Sequence, residues 1–165
     1  MRTIALHGDF ASGAILRRDT GIESWEYPNW KRDRTVPIPR EPYCLVGYSS
    51  GGSRIGHLSI ETVFQPVCAV LYESPLLGRD DVGDTFPVLW IRNDRGRGRA
   101  GLFKRRHERE MASTLAAWKA GGRYVEELDG TGRHFETTND WPPLRHGWDR
   151  ALNERILSWI EEMTQ

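Results

Sequence analysis

Five consecutive residues, Gly47-Tyr48-Ser49-Ser50-Gly51, have the types and spacing that acyl-transfer chemistry asks for. They follow an apolar run, Tyr43-Cys44-Leu45-Val46, that reads as a buried strand, and they precede Gly52 to Glu61, which can start a helix. A G-x-S-x-G between a strand and a helix is the pattern of a nucleophile elbow. The turn is so tight that small residues must flank the serine. Such a turn lifts the Ser49 hydroxyl off the sheet and aims the Ser50 N–H, at the helix start, toward the same point. A serine hydroxyl is a poor nucleophile until a base takes its proton and a third group holds that base. The chemistry therefore asks for a histidine and a carboxylate delivered from other strand ends on the same edge.

Of the five histidines, His134 is the best placed. It lies just beyond the sixth strand-like run, in Asp129-Gly130-Thr131-Gly132-Arg133-His134-Phe135, which reads as a loop ahead of the final helix. His7 belongs to the loop after the first strand and reads as structural, shaping the turn. His57 falls on the helix after the elbow and points away, His107 sits in a charged helix start, and His146 lies near the last helix. The acid should leave the fifth strand or, less often, the fourth. Asp94, three residues after Ile91, is the first choice, and Glu73, closing the fourth strand, is the alternative; Asp80, Asp81 and Asp84 stand further off. The plain reading of Asp94 is charge balance among Arg92, Arg95, Arg97 and Arg99. The developing oxyanion needs two donors, each typically worth ~3 kcal/mol. Ser50 N–H is one, and the backbone N–H of Asp9 or Phe10, with Gly8 allowing close approach, is the other.

These groups work only if the chain brings them to one edge. Arg2 to Leu6 reads as a first strand, Ala11 to Arg18 as two helical turns stopped near Gly21, and Ser24 to Tyr27 as a weaker second strand. Lys31 to Pro42 holds Pro37, Pro39 and Pro42 and reads as a surface connection rather than a long helix. Tyr43–Tyr48, Phe64–Tyr72 and Phe86–Ile91 are the next three strands, the middle ones apolar on both faces. Arg92 to Gly101 reads as a basic loop, Leu102 to Ala120 as a helix capped by Gly121-Gly122, and Arg123 to Leu128 as a sixth, edge strand. Asp129 to Pro143 reads as loop, and Trp148 to Met163 as an amphipathic helix with Leu152, Ile156, Leu157 and Ile160 on one side. Apolar strands separated by helices mean a mostly parallel sheet covered on both faces, a doubly wound α/β fold. Right-handed crossovers favour the order 2-1-3-4-5-6, in which ligands bind where the order reverses, between the carboxyl ends of the first and third strands. Those ends carry His7-Gly8-Asp9-Phe10 and Tyr48-Ser49-Ser50.

The 165 residues are read as one domain spanning residues 1–165. Twenty-three basic residues balance twenty-three acidic ones, and the net charge of zero speaks against nucleic acid and acidic membranes as partners. No apolar run approaches the ~18 residues of a membrane span, and the N-terminal apolar run is too short for a secretory signal. The expected location is therefore cytoplasmic. The two cysteines, Cys44 and Cys68, read as free buried thiols, with no disulfide or metal partner in their sequence neighbourhoods. Seven tryptophans are many for this length, and some are expected on the surface near a binding site.

Taken together, His7-Gly8, Gly47-Tyr48-Ser49-Ser50-Gly51-Gly52, Pro87-Val88-Leu89-Trp90-Ile91 and Gly132-Arg133-His134-Phe135 resemble the α/β-hydrolase fold superfamily, in particular its small, lidless serine hydrolases. The order serine, acid, histidine is that family's order, and the resemblance spans nearly the whole chain. It implies a serine carboxylesterase-type hydrolase with nucleophile Ser49, base His134 and an ester, thioester or related acyl substrate, needing no cofactor and no metal. The family usually carries a glycine after the fifth strand and the acid three residues beyond it; here those places hold Asn93 and Gly96, so Asp94 comes early and Glu73 stays in contention. The family's first two strands have no counterpart, and the helix usual between this chain's second and third strands has no room in the proline-containing Lys31 to Pro42. That leaves one flank of the sheet bare or covered by a partner, a second copy of the chain included. Glu73 to Thr85 is too short for a lid, which implies an open site for small soluble esters or an acyl group carried on a larger molecule. The rival readings are a hydrolase-shaped protein that binds without catalysing, and a phosphate or nucleic-acid contact through Arg92, Arg95, Arg97, Arg99, Lys104, Arg105 and Arg106. Lyase or transferase chemistry on the same scaffold is a further alternative.

Overall fold

The computed structural model describes residues 1–7, 12–25, 39–48, 51–52, 55, 66–72, 86–94, 99–133, 136–137, 144–145 and 150–165. For residues 15, 19, 25, 92–94, 99–108, 129–133, 136–137, 144–145 and 150–151 the description is of the backbone alone. Six strands, β1 (Arg2–Leu6), β2 (Glu23–Trp25), β3 (Tyr43–Tyr48), β4 (Cys68–Tyr72), β5 (Val88–Asp94) and β6 (Val125–Arg133), form one sheet in the order β2-β1-β3-β4-β5-β6. Every neighbouring pair is parallel. The expected order 2-1-3-4-5-6 is thus the observed one, and with α1 (Gly13–Thr20), α2 (Arg99–Ala120) and α3 (Arg150–Met163) the fold is α/β.

Continuous apolar runs give β3 and β4 their central places, since all eleven of their residues are buried. Helices cover both faces. On one, Met111, Leu115 and Trp118 of α2, together with Ile55, pack over Ile4, Leu6, Leu45, Leu71, Val88 and Trp90. On the other, Leu16 of α1 and Leu152, Ile156, Trp159 and Ile160 of α3 pack over Ala5, Val46, Val70, Leu89 and Ile91. Alternate residues of each strand go to opposite layers, as the two-residue period of a pleated strand requires.

Both ends of α1 and the end of α2 have a local cause. The Ser12 carbonyl accepts the first bond of α1 from Leu16 N–H. Gly21 stops that helix at φ 72°, its N–H bonded to the Arg17 carbonyl. The end of α2 is a Schellman motif around Gly122 at φ 86°: Arg123 N–H reaches the Trp118 carbonyl and Gly122 N–H the Lys119 carbonyl. The chain then enters β6 with the Arg123 guanidinium held between the rings of Phe86 and Trp118, 4.3 and 4.2 Å from their centroids, while its Nε donates to the Phe86 carbonyl at 3.0 Å. Helix α3 bridges its whole face, Asn153 Nδ2 donating to the Thr20 carbonyl at one end and Trp159 Nε1 to Glu126 Oε2 at the other.

Several boundaries differ from those read in the sequence. Arg92, Asn93 and Asp94, expected in a loop, extend β5, and Asp129 to Arg133, also expected as loop, extend β6. The two extensions pair with each other, Arg92 with Asp129 and Asp94 with Arg133, across a register irregularity between Arg92 and Asp94. Polar, glycine-bearing segments carry no strand signal alone; a neighbouring strand supplies the hydrogen-bond partners. Helix α2 starts at Arg99, three residues early, and Glu136–Thr137 (β7), inside the Asp129 to Pro143 stretch read as loop, pairs antiparallel with Leu144–Arg145 (β8), just beyond it. Trp90, Trp118 and Trp159 are all buried, so these three belong to the core and not to a surface site.

Candidate functional site

The end of β3 is where the sequence concentrates its chemistry, and two glycines there have no room for a side chain. A Cβ on Gly47 would lie 2.5 Å from the Cα and 2.6 Å from the N of Gly52, and 2.7 Å from Ile55 Cδ1. A Cβ on Gly51 would lie 2.1 Å from the carbonyl oxygen of Leu6 and 2.9 Å from that of His7. Real Cβ atoms do not approach backbone so closely, so both positions admit only glycine. Gly51, Gly52 and Ile55 have helical backbone. The helix that follows β3 therefore begins two residues after the strand ends, pressed against Gly47 on one side and against the end of β1 on the other. This packing is what a strand–turn–helix elbow demands, and the small residues are small because of it.

Because all six strands are parallel, the carboxyl ends of β1, β3, β4, β5 and β6 share one rim. Beyond the end of β1 come His7, Asp9 and Phe10, beyond β3 Ser49 and Ser50, beyond β4 Glu73, and beyond β6 His134. Asp94 is the last residue of β5 and the Cα partner of Arg133, the last residue of β6. His7 is buried, in keeping with a structural part in the turn. Ser49, Ser50, His134, Glu73, Asp9 and Phe10 lie outside the described residues, as do Asp80, Asp81, Asp84, His57 and His146; of Asp94 and His107 the backbone alone is described.

Beneath the rim, Tyr48 and Tyr72 are register partners on β3 and β4, stacked with centroids 4.8 Å apart at 21°. Both are buried, and burial first, then the neighbouring Tyr72, pushes the Tyr48 phenol well above its ordinary range. Tyr48 thus stays uncharged at the buried end of β3. The two tyrosines end apolar strands, and their stacking follows from the pairing of β3 with β4. Among the described residues no group of three or more His, Cys, Asp or Glu side chains is placed to hold a metal ion, and no helix is long and apolar enough to cross a membrane.

No family model matches the chain, and no curated protein matches it. Among solved structures it is similar to esterase B from Lactobacillus rhamnosis, captured with a C4-C4 SN3 tributyrin phosphonate. The likeness covers 99% of this chain and 76% of the esterase, with a TM-score of 0.57 and 12% identity. At that identity the likeness is one of fold: a parallel six-stranded α/β sheet shared with an esterase.

Proposed function

We propose that this chain is a serine hydrolase of the α/β-hydrolase type, acting on carboxylic esters or thioesters through an acyl-enzyme on Ser49. The observation that carries the reading is the glycine packing at the elbow: Gly47 against Gly52 and Ile55, Gly51 against the Leu6 carbonyl. These contacts seat the helix start two residues past the end of β3, the close strand–helix approach that an elbow needs. The shared sheet order and the likeness to an esterase fold lend further support.

In the proposed reaction His134 takes the Ser49 proton as Oγ attacks the acyl carbon. The Ser50 N–H and an N–H of Asp9 or Phe10 receive the oxyanion. His134 then passes the proton to the departing alcohol or thiol, and a water activated by the same imidazole releases the acid. Three inter-strand intervals of about 4.8 Å separate β3 from β6, so His134 must reach back roughly 14 Å over β4 and β5. Residue 134 is one peptide step beyond the end of β6, about 3.8 Å of chain, so the rest of that crossing has to come from the two side chains and the twist of the strand ends. Asp94, partner of Arg133, stands beside its start, which favours Asp94 over Glu73 as the group orienting the imidazole.

The test is covalent labelling. The purified chain incubated with a fluorophosphonate probe is expected to gain one adduct, on Ser49, and to hydrolyse short-chain p-nitrophenyl esters. Ser49→Ala should lose both while keeping its circular dichroism. A folded wild-type protein that neither labels nor turns over would overturn the proposal in favour of a binding protein built on a hydrolase scaffold.

A further inference from the structure

The amino-terminal ends of the central strands, opposite to the serine's rim, hold a second concentration of reactive atoms. Cys44, second residue of β3, and Cys68, first of β4, are register partners with both side chains fully buried on the same face of the sheet. Their sulfurs lie 3.2 Å apart and are not bonded in a disulfide. A third sulfur completes the group: the Cys44 thiol lies 3.7 Å from Sδ of Met1, a residue 64% exposed. The sequence offered no partner for either cysteine because the three residues are far apart in number; the pairing of β1 with β3 and of β3 with β4 brings them together.

From this cluster we infer a binding site for a soft monovalent d¹⁰ cation, Cu(I), ligated by Cys44 Sγ, Cys68 Sγ and Met1 Sδ. Two thiolates and a thioether, with no carboxylate or imidazole at hand in the group, form a donor set that selects soft metals over Zn(II), Mg(II) or Ca(II). Metal–thiolate bonds of about 2.3 Å in a trigonal site set sulfurs roughly 4 Å apart. The observed 3.2 and 3.7 Å are two edges of that triangle and need to open by less than about an ångström; the third closes when the exposed Met1 side chain rotates toward Cys68. Cys68 Sγ donates a hydrogen bond to Cys44 Sγ, so the two thiols already face each other. Coordination breaks two S–H bonds, makes two Cu–S(thiolate) bonds and one Cu–S(thioether) bond, and sends two protons to solvent with no change of oxidation state. Affinity must therefore rise with pH. The exposed methionine gives the cation a way in, past Met1 to the thiols beneath it.

The experiment is an anaerobic titration of the full chain with Cu(I), kept reduced by ascorbate, in competition with bicinchoninate. One equivalent should transfer to the protein, more tightly at pH 8 than at pH 6, and X-ray absorption at the copper edge should show sulfur neighbours only. Cys44→Ala and Cys68→Ala are each expected to weaken retention at least 100-fold, and Met1→Leu, made behind a cleavable leader, about 10-fold. Ser49→Ala should bind copper as the wild type does, which keeps this result separate from the esterase proposal. Copper left wholly with the chelator, nitrogen or oxygen neighbours in the absorption spectrum, or undiminished retention by the folded cysteine variants would each overturn the site.

Discussion

At the scale of the residue, Gly47 and Gly51 are the positions where structure and chemistry meet, and they allow a controlled comparison. An alanine at Gly51 would drive its Cβ to 2.1 Å from the Leu6 carbonyl oxygen, and at Gly47 to 2.5 Å from the Gly52 Cα. In both cases the obstacle is backbone, which cannot rotate aside. Overpacking of this kind typically costs 1–3 kcal/mol and occasionally more. Gly121 faces only the Ala117 and Trp118 carbonyl oxygens at 3.5 Å, ordinary contact distance. Urea denaturation should therefore rank Gly51→Ala and Gly47→Ala well below wild type and Gly121→Ala within about 0.5 kcal/mol of it. On the proposed function, the first two should also lose ester turnover in excess of their lost folded fraction, because the helix start that presents Ser50 N–H is displaced. Tyr48 gives a second expectation. Its phenol titrates higher in the folded chain than the ordinary value near 10. Above about pH 10 the unfolded chain therefore binds fewer protons than the folded one, and stability falls as pH rises. Tyr48→Phe removes that term. Urea midpoints taken from pH 8 to pH 11 should decline less steeply for the variant than for the wild type. An equal decline would mean that other groups cause the alkaline loss.

At the scale of the element, what was legible depended on where the apolar residues lie. Tyr43–Tyr48 announced itself because every residue of a central parallel strand is buried, and Gly121-Gly122 announced the end of α2 because a left-handed residue is needed there. The ends of β5 and β6 were not legible. Arg92-Asn93-Asp94 and Asp129-Gly130-Thr131-Gly132-Arg133 look like loop by composition, and each becomes strand only because the other is beside it. The glycine crowding was legible in kind, from the motif, but not in its partners, since Leu6 and Gly51 meet only once β1 and β3 pair. On the proposed function, the extension favours the first choice of acid over its alternative. It carries Asp94 to the same rim as Arg133 and to the strand next to His134, whereas Glu73 follows β4, one strand further from β6. Replacing the acid by its amide leaves an imidazole held in the wrong tautomer, a loss near 10⁴-fold in kcat where that role has been measured. Asp94→Asn is thus expected to lower kcat by about 10³–10⁴ with KM little changed, and Glu73→Gln to stay within a few-fold. Steady-state kinetics on a p-nitrophenyl ester checks both, and the reverse ranking would transfer the role to Glu73.

At the scale of the whole molecule, the sheet divides the apolar interior into two layers that, among the described residues, share no side chain: one under α2, built on Ile4, Leu45, Leu71 and Trp90, the other under α1 and α3, built on Val46, Val70, Leu89 and Ile156. The doubly wound order could be argued from strand composition alone, but which residues fill which layer follows from the register, and the register follows from pairing. Two separate layers imply two separable contributions to stability. Leu115→Ala, beneath α2, should cost about 2–5 kcal/mol, and Ile156→Val, beneath α3, about 0.5–1.5 kcal/mol. Both sites are at most 2% exposed, so neither loss is relieved by water. Mutations without shared partners add to within about 0.5 kcal/mol, and the double variant measured by urea denaturation should show that sum. A coupling energy above about 1 kcal/mol would mean that the sheet deforms as a common wall, passing strain from one face to the other. A strained wall would also reach the rim where β3 ends, so turnover by the double variant, measured where it is fully folded, is the second reading of the same experiment. On the proposed function, unchanged kcat beside additive stability is the outcome expected of a stiff sheet.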